Sequence, residues 1–451
     1  MESTPGLDTL EGCRADFPAL NRRRDGKPPI YLDNACTTLT PQPVIDSMTE
    51  YYSSFPACGG RRSHHWFADE VTQRIEGSAD AGIKGSRAVI AEFINAASDE
   101  EIIFTSNTTH AINLVALGFN FRPGDVVLLT DKEHNSNLLP WLRLQKSGLI
   151  KVDYVAANGD DCFDLQAFEQ KLKNGRIRLV SMAYTSNVTG YSVPAEEIVK
   201  LAHGYGARVL LDGAQKVPHE AVDVRSIDVD FLAFSIHKMC GPRGVGVLYA
   251  KSDLLNGRPE YRQTENRDIL EPAILGGGTV NDTTYSSYDL LTAPERFEAG
   301  IQNYAGLIAA GTAVRYLQQV GMNAIAGHEK KLNRFLTKEL LDRYGDTGWF
   351  RILGPNDAAQ RGGIVTFEVQ RPNAIGIADG LNQRNNVMIR DGVFCVHSYF
   401  NARYGQGWMR PKSHKEHRMI YRVSFYFYNT VEECRIFVET LNDIFEERCY
   451  I

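Results

Sequence analysis

Two side chains at the ends of apolar, strand-like runs are placed to do carbonyl chemistry. The segment SIHKMCGPRGVGVLYA sets Ser235, His237 and Lys238 between a buried-strand pattern and a glycine-rich turn. An ammonium in such a place needs a partner or a lowered pKa, and a lysine so tuned can form a Schiff base with an aldehyde. An isolated lysine would be read as a surface turn; its company argues otherwise. Upstream, in LLDGAQ, Asp212 ends another apolar run. Asp-Gly alone is most often a turn, but a carboxylate there could also pair with a protonated pyridine nitrogen and keep pyridoxal phosphate an electron sink. Neighbouring strands would bring Asp212 and Lys238 to the carboxyl edge of one sheet, where α/β proteins bind ligands.

The parts of a phosphate and ring site lie in the same region. TSNTTHAINLVA puts Asn107, Thr108 and Thr109 at a strand-to-helix junction, where free backbone N–H groups and the helix dipole favour an anion, although an ordinary N-cap would use the same residues. DKEHNSNLLPW offers His134 as a ring that could stack on a pyridine; YTSNVTG offers Asn187 and GAQK offers Gln215 as amides within reach of a phenolic oxygen.

These residues need a scaffold, and the chain can build one. It has 451 residues, 43% of them hydrophobic and 23% charged, enough for a large core. EIIFT, DVVLLT, KVDYVA, IRLVSMAY, RVLLDGA, VDFLAFS and VGVLYA alternate with helical stretches, the pattern of a mostly parallel sheet covered on both faces. After Pro294 to Asn303 come long amphipathic patterns from Tyr304 to Tyr344. WFRILGP, GGIVTFEV, NVMIRDG, YRVSFYFY and a closing helix follow, predicting a smaller α+β domain with an antiparallel sheet. Glu76 to Gly85 reads as a long or interrupted helix and Asn401 to His417 as a loop insertion. A net charge of −6 makes no case for nucleic acid. Without a signal peptide, a run of about 18 apolar residues or metal-ligand spacing, the eight cysteines predict a reducing, cytoplasmic setting with no membrane span and no metal.

The motifs CRADFPAL, YLDNACTT, EHNSNLLPW, SNVTG, LDGAQ, SIHKMCGP, LGGGT, RFEAG and RVSFYFYNT, in this order over nearly the whole chain, resemble the class V aminotransferase family of fold-type I pyridoxal-phosphate enzymes. Within it, they resemble the group II (SufS-like) cysteine desulfurases and selenocysteine lyases. The resemblance implies a large domain (31–300) with a seven-stranded mixed sheet, a small domain (301–451) and an N-terminal segment (1–30) packed on it. It also implies a homodimer with sites at the interface. Lys238 would hold the cofactor covalently, Asp212 would face its ring nitrogen and His134 would stack on it. Asn187 and Gln215 would contact it, with Thr108, Thr109, Ser235 and His237 near its phosphate. Thr279 would reach the other protomer's phosphate, and Arg422 would bind the substrate carboxylate.

Fold alone does not choose among the reactions such a cofactor supports. In IRDGVFCVHSYF, Arg390 and Cys395 stand at the spacing of the arginine and persulfide-forming cysteine of the resembled group, which implies conversion of L-cysteine, or L-selenocysteine, to L-alanine and delivery of sulfur to an acceptor protein. The alternative is an aminotransferase, epimerase or lyase that does not use Cys395. Several residues depart from the group's pattern: Val393 and Phe394 replace two histidines, His110 follows the threonine pair in place of Glu, Cys36 replaces an alanine, and Cys240 closely follows Lys238. Arg62 and His65 fall in a segment that lines the cleft in the family.

Overall fold

The computed structural model describes residues 10, 12–60, 63–256, 268–371, 374–408 and 418–447. All seven expected runs form strands of one sheet: β1 (Ile102–Thr105), β2 (Asp125–Thr130), β3 (Ile150–Val155), β4 (Ile177–Ala183), β5 (Arg208–Asp212), β6 (Phe231–Ser235) and β7 (Gly246–Ala250). Their order is β1-β7-β6-β5-β4-β2-β3, with β7 antiparallel to both neighbours and the other pairs parallel. Strand residues divide by period two. Phe104, Val180, Leu211, Phe234 and Val247 join one core, while Ile103, Leu179, Leu210, Phe231 and Leu248 join the core on the opposite face. Near-continuous apolar runs are what a sheet covered on both sides requires.

The second sheet is antiparallel, as expected, in the order β8 (Phe350–Leu353), β9 (Ile364–Gln370), β11 (Arg418–Ser424), β10 (Arg390–Asp391). The YRVSFYFY run is a strand only to Ser424; Phe425 to Tyr428 leave the sheet and bury their rings, three of them in the large-domain core. The long amphipathic stretch is two helices, α2 (Tyr304–Val320) and α3 (Met322–Tyr344), broken at Gly321, whose φ of +91° only glycine adopts readily. Helix α2 packs through Ala309 and Ala313 on Val44 of the helix Gln42–Ser54, whereas Leu332, Leu336 and Leu340 of α3 belong to the small-sheet core. Residues Ile30–Tyr31 pair in parallel with Val387–Met388 as a separate two-stranded sheet, and Arg14 bonds Glu433 of α5 (Val431–Glu447) at 2.7 Å, so the N-terminal segment contacts that C-terminal helix.

Two local expectations change. Glu76 closes the helix Trp66–Glu76, Gly77 follows at φ +91°, and a turn bridged at Ser78 and Ile83 precedes the next helix, Ser86–Phe93. Asn401 to Tyr404, the start of the expected loop insertion, are instead the end of a helix, α4 (His397–Tyr404), in which Tyr399 and Phe400 bury their rings with Phe394 and Val396. Residues 409–417 of the expected insertion lie outside the described residues.

Arg87 ties the edge strand down. Its buried guanidinium bonds Glu76 at 2.7 Å, Glu298 at 2.7 Å and the Ile102 carbonyl at 2.7 Å, and Glu298 also accepts from the Phe104 N–H. Removing one partner of a buried pair leaves the other uncompensated, which costs about 3–5 kcal/mol. Arg87→Met should therefore lower the unfolding free energy extrapolated from urea titration by an amount of that order, and a change under about 1 kcal/mol, typical of surface pairs, would contradict it.

Candidate active site

Strands β1, β2, β4, β5 and β6 end on the same edge of the sheet, and the segments following them enclose a cleft of about 320 Å³. Its lining includes Asn107, Thr108 and Thr109 after β1, His134 and Ser136 after β2, Asn187 after β4, Asp212 and Gln215 at β5, and Ser235, His237 and Lys238 at β6. Cys36, from the YLDNACTT segment, and Arg390, Phe394, Cys395 and Arg422, from the C-terminal part of the chain, close it. The volume suits a cofactor or small ligand.

At one end, helix α1 (Thr108–Gly118) presents its N-terminus. Asn107 is its cap, its Oδ1 accepting from the His110 N–H at 3.0 Å. Ser235 Oγ accepts from the Thr108 N–H at 2.8 Å and lies 2.6 Å from Thr108 Oγ1, while Thr109 Oγ1 lies 2.7 Å from Ser136 Oγ. This close approach needs Gly246: a Cβ there would fall 2.5 Å from the Asn107 Cα. Dipole and hydroxyls together make an anion cradle.

In the middle, Asp212 is buried and accepts from the Ala214 N–H at 3.0 Å; burial raises its pKa, and that hydrogen bond and Lys238 oppose the rise. Burial pushes Lys238 down to about 8, Arg422 adding to the shift and Asp212 opposing it. The lysine turn is gripped by the YLDNACTT segment, since the His237 carbonyl accepts from Thr38 N–H at 3.1 Å and Thr37 Oγ1 at 2.9 Å. Burial takes His134 down to about 4, helped by Lys238, Arg422 and His397, and the Ser136 N–H donates to its Nδ1 at 3.1 Å. The ring is thus neutral, with its proton on Nε2. Beneath it, Glu133 accepts from Thr130, Asn137 and Ala183 and is raised to about 7 by burial, fixing the loop from Asp131 to Asn137 to β4.

At the far end, Arg390 grips both oxygens of Asp33, Nε to Oδ1 at 3.1 Å and Nη2 to Oδ2 at 2.7 Å, and donates to Cys36 Sγ at 3.0 Å. Arg422, buried by its neighbours, donates to the Asn187 carbonyl at 3.1 Å and to Asp33 at 3.3 Å, and its guanidinium carbon lies 4.7 Å from the Phe394 ring centre. Arg422 Nε and Gln215 Oε1 are buried without a partner. Cys395 is exposed at the rim, and both it, at φ +59°, and Phe394, at φ +47°, are left-handed. Such backbone costs about 1–3 kcal/mol per non-glycine residue and persists only where surroundings impose it. Here Asn187 Nδ2 donates to the Phe394 carbonyl at 2.8 Å and the Asn135 N–H to the Cys395 carbonyl at 2.7 Å.

The cleft brings together every expected site residue except Thr279, whose Oγ1 donates to the Gly276 carbonyl at 2.8 Å. His65 caps the helix Trp66–Glu76 and does not line the cleft; Arg62 lies outside the described residues. Asp33, Ser136, Asn135 and the Thr37–Thr38 pair escaped the sequence reading. Each stands inside a quoted motif, but its partner is remote or its role is carried by the backbone.

The sequence profile of the family "Aminotransferase class-V" matches residues 30–437. A "Probable cysteine desulfurase" of Pyrococcus abyssi is 36% identical over 92% of this chain and 94% of its own length. A "Cysteine desulfurase" of Dickeya dadantii is 36% identical over 88% of this chain and 90% of its own. Among solved structures, the apo cysteine desulfurase of Thermococcus onnurineus superposes with a TM-score of 0.81 at 33% identity, covering 98% of both chains.

The depressed Lys238 amine has a direct signature. Below its pKa of about 8 it is protonated and inert, and above it neutral and nucleophilic, so acetylation of Lys238 in the cofactor-free protein should rise with a midpoint near that pH. Surface lysines should rise only near about pH 10.4. Peptide mass spectrometry across a pH series checks this; coincident midpoints would refute it.

Proposed function

The chain belongs to the aminotransferase class-V family, and on that premise we propose that it is a pyridoxal 5'-phosphate-dependent cysteine desulfurase, converting L-cysteine to L-alanine and taking the sulfur as a persulfide on Cys395. The observation that carries this is the enclosure in one cleft of Lys238, Asp212 and Arg422 together with Cys395.

The residues fit the cofactor. The hydroxyls of Ser235, Thr108 and Thr109 at the α1 N-terminus suit its phosphate, the buried Asp212 its ring nitrogen, His134 its face and Lys238 its aldehyde carbon, and the unpartnered Gln215 Oε1 is a buried acceptor at hand. Bound there, the cofactor supplies an electron sink for negative charge at the substrate Cα. Arg422 receives the substrate carboxylate, its unpartnered Nε completing the fork that Asp33 and the Asn187 carbonyl half-occupy. Lys238, neutral above about pH 8, removes the Cα proton and holds it for return. Cys395 attacks the substrate sulfur as a thiolate. As the Sγ–S bond forms the S–Cβ bond breaks, the bonding pair stays with Cβ, and protonation there completes alanine. Phe394 lines the cleft beside the thiol, and Lys238, whose charge interacts with Cys395, shares that cleft with Arg390 and Arg422.

A persulfide at the exposed Cys395 is open to an acceptor protein, and a thiol that must stay reduced suits the cytoplasm. No helix among the described residues is long and apolar enough to cross a membrane. Thr279 serves the cleft of a second copy. Ile274, Leu275, Tyr285 and Tyr288 around it are exposed, apolar surface that a homodimer would cover.

Three variants test the assignment. Cys395→Ala should lower alanine formation from L-cysteine by about 100-fold or more, the usual cost of losing a covalent nucleophile, yet keep the visible absorption change on adding L-cysteine. Lys238→Ala should abolish turnover and the cofactor's usual visible band. Arg422→Lys should raise KM, because an ammonium cannot reproduce a planar fork. Equal turnover by wild type and Cys395→Ala would replace sulfur transfer by lyase chemistry.

A further inference from the structure

The Cys395 loop is held to the large domain by more than its strained backbone. Lys132, two residues before His134, is only 7% exposed, and its Nζ lies 2.9 Å from Asp161 and 3.3 Å from Asp131. The same ammonium lies 5.2 Å from the ring centre of Tyr399, on α4 just after Cys395, a cation–π distance. The Tyr399 hydroxyl donates to Asp161 at 3.4 Å and accepts from Arg403 at 2.9 Å. Asn135, on the same loop as Lys132, adds its N–H to the Cys395 carbonyl and its Nδ2 to His397 Nδ1 at 3.1 Å. Lysine is rarely buried unless something holds it there, and nothing in cofactor or substrate binding calls on this one. What it holds is the helix that follows the nucleophile.

We propose that Lys132, with Asp161 and Tyr399, is a latch that positions the Cys395 loop over the cleft, so that its loss slows sulfur attack without weakening substrate binding. Lys132 touches neither substrate nor cofactor and is a positioning residue; the inference rests on Cys395 being the sulfur acceptor. The attacking sulfur sits on a left-handed loop with no regular ladder of its own, so its distance from the substrate sulfur is set by where α4 docks. His134 and the latch share one short loop, which keeps the ring-facing group and the nucleophile in register.

The test compares wild type with Lys132→Met, Lys132→Arg and Tyr399→Phe, all loaded with pyridoxal phosphate. In Lys132→Met, kcat for alanine should fall about 10- to 100-fold, the scale of a misplacement of about 1 Å, while the L-cysteine concentration giving half the visible absorption change should stay within about twofold. Alkylation of Cys395 by iodoacetamide, read by peptide mass spectrometry in the absence of substrate, should quicken about fivefold or more as the loop opens locally. Lys132→Arg, which keeps the charge over the ring, should recover most of both, and Tyr399→Phe should show an intermediate loss. Should Lys132→Met fail to fold, Tyr399→Phe and Lys132→Arg carry the test. Unchanged kcat and unchanged alkylation in folded variants, or a raised KM at constant kcat, overturns the latch. If wild type and Cys395→Ala turn over alike, the sulfur-transfer reading fails instead, and the alkylation rates still decide whether the latch holds the loop.

Discussion

One carboxylate is shared between two guanidiniums. Asp33 holds Arg390 bidentately and Arg422 by a single longer bond, so the pocket keeps more positive charge than its own side chains neutralise. Desolvation would normally forbid that. It is tolerated because Asp33 is fixed by its chain: Leu32 on one side bonds the backbone of Met388, two residues before Arg390, and Asn34 on the other bonds Ser424, on the strand that carries Arg422. The N-terminal segment, the small sheet and the cleft thus meet at one residue. An anionic group entering the cleft finishes a charge arrangement the fold leaves incomplete.

The legible part of this site was local. Lys238, Asp212, Ser235 and the threonine pair are displayed by the ends of strands whose apolar runs can be read in sequence, and a parallel sheet sends those ends to one edge. Illegible were the groups that act across the fold. Asp33 meets its arginines 357 and 389 positions away, and Asn135 fixes Cys395 through a main-chain N–H. Helix α4 was hidden for another reason. In HSYFNARY polar and apolar residues are equal in number, and docking on Phe394 and Val396 gives Tyr399 and Phe400 somewhere to bury. Gly77 and Gly321 end helices through backbone conformations that composition hints at without locating.

The cysteines show how environment, not count, assigns chemistry. Cys434 is buried in the small-domain core and Cys240 under the lysine turn, and burial raises both thiols, leaving them inert fillers. Cys36 stands in the cleft with Arg390 on its sulfur. Among the described cysteines, Cys395 alone combines cleft lining, exposure and an imposed left-handed backbone.

The exit of Phe425 to Tyr428 from the small sheet bears on motion. Only a few residues beyond Arg422, the rings of Tyr426, Phe427 and Tyr428 are buried in the core built around the large sheet, Phe17 packing against the last two. Swinging the small domain away would return those rings to water, at about 1.5–3 kcal/mol for each large apolar side chain exposed. The two domains are thus riveted rather than hinged. Opening the cleft by separating the two sheets is opposed by these rings, which lie a few residues beyond Arg422 in the chain.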